Sequence, residues 1–383
     1  MTTPPKLLHL CAAYSKSKLY SLFFTELAKR GFDQTVFVPT RTAAEVGKNI
    51  PTGTSPFIVI QKHILKPLMK IRYFYKLKVI KNTLLKSLNI KDIDLIHAHF
   101  LFSDGGVAYH CHQLFKIPYI VSVRNTDIHM FFKYAVHLRR FGLRILENAT
   151  YICLLSPSYK EKLFHYIPEA YHAQLSPKIK VIPNGIDSYW LEHRTAPKRF
   201  AKGQTIRLLY CGEFSKNKNI QGCLHAIQRL EAQGYKIQMT LVGNYGHYVS
   251  EIKAMVSKLQ SPATIIDRVH SPKDLQDLYQ NSDIFMMPSF KETFGLVYIE
   301  ALSQGLPIIY SKGQGVDGYF ESDKPVGLAV NPRSVIDISE AIIKISEQYQ
   351  HYTQFSHHYL DQFDWTTVSQ DISSLYLNTA ASS

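Results

Sequence analysis

Residues Met287–Pro307 read MPSFKETFGLVYIEALSQGLP, and this segment is the most informative one for the fold. It continues an apolar run typical of a buried strand, and that strand is predicted to end at Pro288. A helix is predicted to open near Gly295 and to end at Gly305, where a left-handed glycine closes a helix readily and Pro307 follows. A helix that begins at a glycine presents free backbone N–H groups and the positive end of its dipole. The junction therefore predicts a phosphate site that needs no basic side chain.

Two glutamates flank the opening of this predicted helix. Glu292 stands just before it and Glu300 lies inside it, with seven residues between them. One carboxylate can accept hydrogen bonds from sugar hydroxyls and the other from ribose hydroxyls. Taken singly, each residue also fits a simpler interpretation as a surface acid or an ordinary helical glutamate. The functional interpretation is favoured for the pair because a predicted strand, loop and helix surround it.

Outside this stretch, short apolar runs alternate with helix-length segments, which is the pattern of a parallel sheet covered by helices. The pattern starts again in the second half of the chain, so the predicted class is α/β with two Rossmann-like, doubly wound domains. The predicted strands are Leu7–Ala12, Thr35–Val38, Leu95–Ala98, Tyr119–Val123, Ile152–Leu155 and Lys180–Ile182, then Ile206–Cys211, Lys236–Val242, Ala263–Ile266, Ile284–Met287, Pro307–Tyr310 and Val326–Val330.

The seam between the two domains is predicted at Pro183–Asp187, which leads into a weakly periodic stretch as far as Gln204. We therefore place an N-terminal domain at residues 1–185 and a C-terminal domain at residues 186–363, followed by a last helix at about 364–380. Sheets of this kind bind ligands at the carboxyl ends of their strands, and two such domains are expected to face a central cleft.

Positive charge is concentrated in the first half of the chain. Residues 1–190 hold 26 Lys and Arg against 11 Asp and Glu, whereas residues 191–383 hold 18 against 19. No acidic residue lies between Glu45 and Asp92. Apolar residues interleave with the bases there, which is typical of a basic amphipathic helix that lies on anionic lipid. The residues assigned to the acceptor side or to a membrane surface are Lys66, Lys70, Arg72, Lys76 and Lys78.

Two other interpretations of this basic stretch stay open. The apolar side of the helix can pack on its own domain and leave a solvated basic face. Alternatively, the charge can bind nucleic acid, although no helix-turn-helix, zinc-finger or RNP signature accompanies it. We expect an anionic membrane surface, and no nucleic acid, as the partner.

Neither a membrane span nor a metal site is predicted. The chain has no run of about 18 apolar residues, and Leu7–Ala13 is interpreted as a first buried strand instead of a signal segment. We expect a cytoplasmic protein, at most peripheral on the inner face of the cell membrane. The five cysteines form no CxxC pair and no histidine spacing matches a metal motif. His97 and His99, at a strand end, are expected on opposite faces, one packed and one toward the cleft.

The motif around Glu292 and Glu300 resembles the signature of retaining GT-B glycosyltransferases of family 4, the set called glycosyl transferases group 1. That signature has the form P-S-x-x-E-x-F-G-L-x-x-x-E-A-x-x-x-G-x-P, and residues 288–307 match it at every fixed position. The resemblance implies a GT-B fold in which the helix after Asp364 crosses back to the first domain. Further resemblances are Val181–Asp187 to the family's hinge motif, Tyr210–Asn219 to its G-R-x-x-x-x-K-G loop, and Asp94–His99 to its D-x-x-H-x-H strand end.

The resemblance also implies a donor site in the second domain. Lys218 is expected to bind the donor diphosphate and Glu292 to hold the donor sugar, both as catalytic groups. Glu300 is expected to bind the ribose. The remaining donor-binding positions are Gly212, Asn244 and the backbone of Phe294, Gly295 and Leu296.

Three positions depart from the family pattern. Relatives often carry H-G-x-D in the first domain, where this chain reads RNTD at Arg124–Asp127. Arg124 is a cation that can still stand near the donor phosphate, so Arg124 and Asp127 remain catalytic candidates. Glu213 replaces the arginine of the family's Gly-Arg pair, so one diphosphate-binding cation is missing. Ala12 and Ala13 replace a double glycine in the loop that meets the acceptor and the sugar.

The sequence therefore predicts a hexosyltransferase. It would move a sugar from a nucleotide-diphosphate sugar of the UDP or GDP type to a hydroxyl of a saccharide or lipid-linked saccharide, with retention at the anomeric carbon. No cofactor and no metal are expected. The basic first domain indicates a role in bacterial surface polysaccharide synthesis at the membrane. Three alternatives remain. They are a GT-B scaffold or binding protein with weakened catalysis, a basic nucleic-acid-binding protein, and a GT-B epimerase or phosphorylase acting on similar substrates.

Overall fold

The computed structural model describes residues 4–51, 55–201 and 203–381, and the side chain of Lys70 lies outside the description. The chain divides into two compact units. The first comprises residues up to Leu155, then Tyr159–Gly185 and the segment from Trp365 onward. The second comprises Ser156–Ser158 and Ile186–Asp364. Each unit carries its own parallel sheet.

Seven strands form the sheet in the described part of the first unit. They are β1 (Leu7–Leu10), β2 (Gln34–Thr40), β3 (Ile58–His63), β4 (Leu95–Ala98), β5 (Tyr119–Val123), β6 (Tyr151–Leu154) and β7 (Ile179–Val181). All pairs are parallel and the order is β3-β2-β1-β4-β5-β6-β7. The order reverses between β1 and β4, which makes their carboxyl ends the topological switch point of this sheet.

The central strands of this sheet are near-continuous apolar runs because helices cover both faces. Every residue of β1, β4 and β5 is buried. Two short π-helical turns, Leu101–Gly105 and Asp127–Phe132, follow β4 and β5 directly. The helices in this part of the chain are α1 (Lys18–Lys29), α2 (Tyr73–Ser87), α3 (Gly106–Phe115), α4 (Arg139–Asn148), α5 (Ser158–Phe164) and α6 (His172–Leu175).

The second unit repeats the same architecture with six strands in its described part. They are β8 (Ile206–Cys211), β9 (Ile237–Val242), β10 (Ala263–Ile266), β11 (Ile284–Met286), β12 (Ile308–Ser311) and β13 (Gly327–Val330), in the parallel order β10-β9-β8-β11-β12-β13. Its switch point lies between β8 and β11. The helices are α7 (Ser188–Glu192), α8 (Ile220–Ala232), α9 (Val249–Val256), α10 (Pro272–Gln280), α11 (Leu296–Ser303), α12 (Val335–Glu347) and α13 (Tyr349–Thr353).

The last helix, α14 (Trp365–Ala381), packs in the first unit. Its Trp365 and Ile372 belong to a buried apolar cluster that also contains residues of α1 and β1. Arg30, at the end of α1, donates from Nε to the Ser369 hydroxyl at 2.7 Å. A side chain at Gly185 would overlap the Trp365 ring, so the glycine is required where the chain leaves the first unit.

The predicted α/β class with two Rossmann-like units is confirmed, and the sequence analysis missed one strand. That strand is β3, at the edge of the first sheet. The single basic helix inferred between Glu45 and Asp92 is also wrong in its extent, because this interval contains β3, a 3-10 turn at Pro67–Lys70 and then α2. Among the described residues, no helix is long and apolar enough to cross a membrane.

Candidate functional site

The strongest candidate site lies at the switch point of the second sheet, where the loops after β8 and β11 meet. The amide of Phe290 donates to the carbonyl of Asn217 at 2.8 Å. In return, the Asn217 side chain donates to the carbonyl of Lys291 at 2.8 Å. The two loops are therefore fastened to each other, and each brings one charged candidate to the same place.

Lys218 and Glu292 form an ion pair across these loops, with 2.7 Å between Nζ and Oε2. Their side chains are 22% and 10% exposed, so the pair is largely shielded from water. Lys218 closes a 3-10 turn, and the following Asn219 adopts a left-handed conformation with φ 55°. The Asn219 side chain donates from Nδ2 to the carbonyls of Pro288 and Pro332 at 3.0 and 2.7 Å, which fixes the direction of the lysine loop.

The backbone around Glu292 is held on both sides. Its second carboxylate oxygen accepts the Thr293 amide at 2.9 Å. Its own amide donates to the Gln314 side chain at 3.3 Å, and its carbonyl accepts the Gly315 amide at 3.3 Å. A side chain at Gly315 would press against the Phe294 carbonyl and the Glu292 side chain. The carboxylate is thus built into a tight turn and not left to solvent.

The amino end of α11 opens beside this ion pair. Gly295 caps the helix with φ 86°, a conformation that glycine adopts readily. The first turn of a helix leaves its amides without intrahelical acceptors, so Leu296 and its neighbours present N–H groups and the positive dipole end. The Phe294 ring is 2% exposed and contacts the rings of Tyr319 and Phe363. Only the backbone of Phe294 remains available for a ligand.

Glu300 lies inside α11, and the Tyr279 hydroxyl donates to its Oε2 at 3.1 Å. Burial raises the pKa of Glu300 to about 7, against a smaller opposing effect of that hydrogen bond. The group therefore exchanges its proton near neutral pH, and it can accept or donate a hydrogen bond there.

The two remaining donor-site candidates, Gly212 and Asn244, follow β8 and β9. The Gly212 amide donates to the carbonyl of Val242 at 3.0 Å. Gly243 has φ 121°, and a side chain there would collide with the Gly212 carbonyl, so the two backbones meet without space between them. The Asn244 side chain donates to Asp267 at 2.7 Å, which leaves its carbonyl oxygen buried and unpartnered.

Arg124 and Asp127 lie in the first unit, beyond the end of β5. Asp127 is 1% exposed and accepts the backbone amides of Leu101, Phe102 and Arg124 at 3.1, 3.1 and 2.9 Å. Burial raises its pKa to about 6 in spite of these three bonds. With both oxygens engaged by backbone, Asp127 joins the two π-helical turns, and this arrangement favours a positioning residue over the predicted catalytic group. The Arg124 guanidinium donates from Nε to the carbonyl of His99 at 3.1 Å.

The expectation that His97 and His99 face opposite sides was wrong, because residues two apart on a strand share a face. Their rings stack with centroids 4.1 Å apart, and both side chains are buried. His9 joins them, and the ring nitrogens of the three lie within 4.8 Å of one another. Burial lowers the pKa of His9 to about 3 and that of the other two well below the usual value, so all three rings are neutral. His97 hydrogen-bonds Tyr376 and Ser122, at 2.6 and 2.9 Å.

The basic residues of the interval 62–91 face outward for the most part. Lys66, Arg72 and Lys78 are exposed, and Lys76 is half-buried. Leu77, Ile80 and Leu84 of α2 are at most 3% exposed and pack into the unit. The apolar side of α2 is therefore covered by its own domain, and α2 does not itself offer an apolar face to a membrane.

The protein has the GT-B architecture of glycosyltransferases. This architecture consists of two parallel α/β units, each with a switch point, and a last helix that packs in the first unit. Residues 23–189 match the model described as Glycosyltransferase Family 4, and residues 193–358 match the model described as Glycosyl transferases group 1. The chain belongs to this family and is a glycosyltransferase.

Relatives and solved structures agree with that assignment. The putative teichuronic acid biosynthesis glycosyltransferase TuaC of Bacillus subtilis is 24% identical over 84% of this chain and 83% of its own length. The D-inositol 3-phosphate glycosyltransferase of Arthrobacter sp. is 25% identical over 65% and 61%. The sucrose-phosphate synthase structure from Thermosynechococcus elongatus superposes with a TM-score of 0.72 at 18% identity, covering 99% of this chain and 100% of that one. Anabaena HepE in complex with UDP and glucose gives 0.68 at 16%, covering 98% and 100%.

Proposed function

We propose that this protein transfers a hexosyl group from a nucleotide-diphosphate sugar to a hydroxyl of a saccharide or lipid-linked saccharide, with retention at the anomeric carbon. The observation that carries the proposal is the shielded ion pair of Lys218 and Glu292 beside the open amino end of α11. This arrangement offers a cation and backbone N–H groups to a diphosphate, and a carboxylate to sugar hydroxyls, where the loops after β8 and β11 meet.

The reaction needs a site that stabilises a departing diphosphate. The bond between the anomeric carbon and the diphosphate oxygen breaks, and its electron pair stays on that oxygen. The acceptor hydroxyl forms the new bond to the same face of the carbon and gives its proton to the departing phosphate. Lys218 and the amino end of α11 stabilise the charge that develops on this phosphate, so no metal ion is required by the proposal.

The two glutamates bind different parts of the donor in this proposal. Glu292, fixed by its turn, accepts hydrogen bonds from the donor sugar and orients it. Glu300 accepts from the ribose hydroxyls in its ionised form. Arg124, in the first unit, is the remaining catalytic candidate, and the loop joined by Asp127 positions its backbone.

Two similar proteins support a donor of the UDP type and a role in surface polysaccharide synthesis. HepE is a solved structure with UDP and glucose, and TuaC is named for teichuronic acid biosynthesis. The basic first half of the chain suits an acceptor that carries negative charge.

Calorimetric titration of UDP, GDP and ADP into the full chain tests the donor site. We expect one nucleotide to bind in the micromolar range and Lys218→Ala to weaken it at least about tenfold, because a charge-assisted contact to phosphate is lost. Lys253→Ala is the matched control, since Lys253 is an exposed lysine on α9 of the same unit, and we expect less than about a twofold change.

Two outcomes of this titration would contradict the expected donor site. If none of the three nucleotides binds, the replacement of arginine by Glu213 has dismantled the site and the scaffold interpretation takes its place. If a nucleotide binds but Lys218→Ala binds it as tightly as the wild type, Lys218 does not hold the diphosphate. Where a nucleotide does bind, hydrolysis of the corresponding sugar nucleotide without acceptor, and the anomeric configuration of the released sugar by NMR, test transfer and retention.

A further inference from the structure

Asp104 is a buried carboxylic acid that the proposed reaction does not use. It lies in the π-helical turn Leu101–Gly105, directly after β4, and is 3% exposed. Its Oδ2 accepts the backbone amide of Ala12, in the loop after β1, at 3.2 Å. β1 and β4 are the neighbouring strands at which the order of the first sheet reverses. The bond therefore joins the two loops at the switch point of this sheet, where such sheets bind their ligands.

The loop after β1 is held on both sides of Ala12 by bonds within the backbone. The Cys11 amide donates to the Phe37 carbonyl of β2 at 3.1 Å, and the Tyr14 amide donates to the Cys11 carbonyl at 3.2 Å. Between these two bonds, the Ala12 amide takes its acceptor from the side chain of Asp104. The direction of this amide therefore depends on Asp104.

The turn that carries Asp104 is packed too tightly to shift. A side chain at Gly105 would lie 3.0 Å from a methyl group of Val121 in β5. A side chain at Gly106 would lie 2.7 Å from a methyl group of Leu77 in α2. The turn is thus enclosed by β5 and α2, and Asp104 offers its oxygen to the loop after β1 from a fixed position.

The surroundings of Asp104 bring its ionisation close to neutral pH. Burial raises its pKa to about 8. The Ala12 amide and the Lys76 ammonium group of α2 oppose this effect, and the Asp127 carboxylate adds to it. Three further titratable groups feel the charge of Asp104, from the loop after β1, from α1 and from α2, and they are Cys11, Tyr20 and Tyr73. Burial raises the pKa of each of these three groups further, so they stay neutral while Asp104 ionises. The positive charge of Arg124, after β5, acts on Cys11 and Tyr20 in the opposite sense.

We propose that Asp104 is a positioning residue for glycosyl transfer, because its carboxyl group holds the Ala12 amide and with it the loop after β1. The role assigned to Asp104 rests on the proposed function, in which this loop meets the acceptor and the sugar. A hydrogen bond to an ionised carboxylate is stronger than one to a neutral acid, so the loop is held more tightly once Asp104 has lost its proton. Alanine at positions 12 and 13 also restricts the backbone of the loop more than glycine would.

The chain contains a matched control for this bond at the opposite edge of the same two strands. Oδ2 of Asp94, directly before β4, accepts the amide of Lys6, directly before β1, at 2.8 Å. Asp94 is exposed and lies at the amino ends of the strands, away from the edge that binds ligands in such sheets. The two aspartates make the same kind of bond between the same strands, and only Asp104 makes it at the switch point.

Steady-state rates of the full chain at saturating donor, measured between about pH 6.5 and about pH 9, test the proposal. Asp104→Asn and Asp94→Asn each keep an oxygen acceptor that cannot ionise. We expect turnover by Asp104→Asn to equal that of the wild type within about twofold at the low pH and to be at least about fivefold lower at the high pH. The KM for the donor and the affinity for its nucleotide should not change. Asp94→Asn should follow the wild type at every pH.

Hydrogen exchange of the Ala12 amide measures the bond itself without turnover. Its protection should fall at least about tenfold in Asp104→Ala, while the Cys11 amide, bound to the Phe37 carbonyl, keeps its protection.

Three results would overturn the proposal. The first is unchanged protection of the Ala12 amide in Asp104→Ala. The second is a ratio of wild-type turnover to that of Asp104→Asn that is the same at all pH values. The third is an equal loss of turnover in Asp94→Asn, which would mean that fastening the two strands at either edge has the same effect. Absence of nucleotide binding by the wild type would instead overturn the proposed function, and nucleotide titration of each variant checks its folding.

Discussion

The ammonium nitrogen of Lys218 lies 2.7 Å from Oε2 of Glu292, while Oε1 of Glu292 accepts the amide of Thr293. Each charge of this pair is balanced by the other before any ligand arrives. A diphosphate at Lys218 would weaken the hold of the lysine on Glu292 and leave the carboxylate for hydroxyl groups. The pair therefore couples recognition of the two halves of the proposed donor.

Replacing Glu292 by glutamine should affect nucleotide binding and turnover differently. Lys218 loses its anionic partner, so we expect the affinity for the free nucleoside diphosphate to stay the same or to rise. Turnover should fall at least about 100-fold, because the group that orients the sugar is weakened. Calorimetry with the nucleotide and with its sugar conjugate, together with an initial-rate assay, measures both effects.

The matched control for this variant is Glu321→Gln. Glu321 also pairs with a lysine of the second unit, Lys324, at 3.0 Å, but its side chain is 55% exposed. Its loss should change neither binding nor turnover by more than about twofold. Nucleotide binding weakened by Glu292→Gln as strongly as by Lys218→Ala would contradict the coupling.

Gly295→Ala should remove the donor site through backbone geometry alone. The added methyl group would overlap the Tyr298 ring and lie 3.3 Å from Cγ of Glu292, at a residue with φ 86°. Gly234, with φ 85° and open space around it, is the matched control. We expect each variant to lose about 1 kcal/mol of stability from the left-handed conformation. Only Gly295→Ala should weaken nucleotide binding more than about tenfold, and equal binding by both variants would refute this.

Glu300 should make stability depend on pH between its unfolded and folded pKa values. Its folded pKa, about 7, is above the ordinary 4.5, so the folded state holds the proton longer than the unfolded state does. The favourable contribution is therefore complete below pH 4.5 and is lost as the pH rises toward 7. Relative to Glu300→Gln, the wild type should lose on the order of 2 kcal/mol of unfolding free energy between about pH 5.5 and about pH 8.

Urea unfolding at several pH values measures this difference. Glu340→Gln, at an exposed glutamate of α12, serves as the control and should follow the wild-type curve. A constant difference between wild type and Glu300→Gln across the range would show that Glu300 ionises with an ordinary pKa.

Asp127→Ala should loosen the two π-helical turns without touching the second unit. The amides of Leu101, Phe102 and Arg124 lose their carboxylate acceptor, so their hydrogen exchange should accelerate at least about tenfold. Turnover should fall while nucleotide affinity stays unchanged. Asp92→Ala, at an exposed aspartate, should alter none of these quantities. Unchanged exchange at the three amides would remove the positioning role.

The fold was predictable because strands buried on both faces leave near-continuous apolar runs in the sequence. Strands such as β5, in which all residues are buried, are recognisable in this way. The edge strand β3 was missed for the same reason, since it contains no fully buried residue. The junction at Gly295 was predictable because a left-handed glycine before a helix leaves a clear local pattern.

What the sequence did not reveal depends on contacts between distant residues. Two of the three amides that bind the Asp127 carboxylate come from a turn more than twenty residues away, so the sequence left that carboxylate without a visible partner. The apolar side of α2 has the same spacing whether it faces lipid or the core, and only the packing of Leu77 and its neighbours decides between them. Residues 65–76 and 126–137 line one groove beside Lys76, although no sequence pattern connects these two segments.

The position of α14 also determines the order in which the protein can be completed during synthesis. The first unit lacks its Trp365–Tyr376 face until α14 has been made, whereas every strand of the second unit precedes α14. On the ribosome, the second unit can thus finish folding while the first still exposes the apolar cluster around Phe23 and His97. The first unit, although its strands are synthesised first, is completed only once α14 has been made, and it is the more exposed to chaperones in the interval.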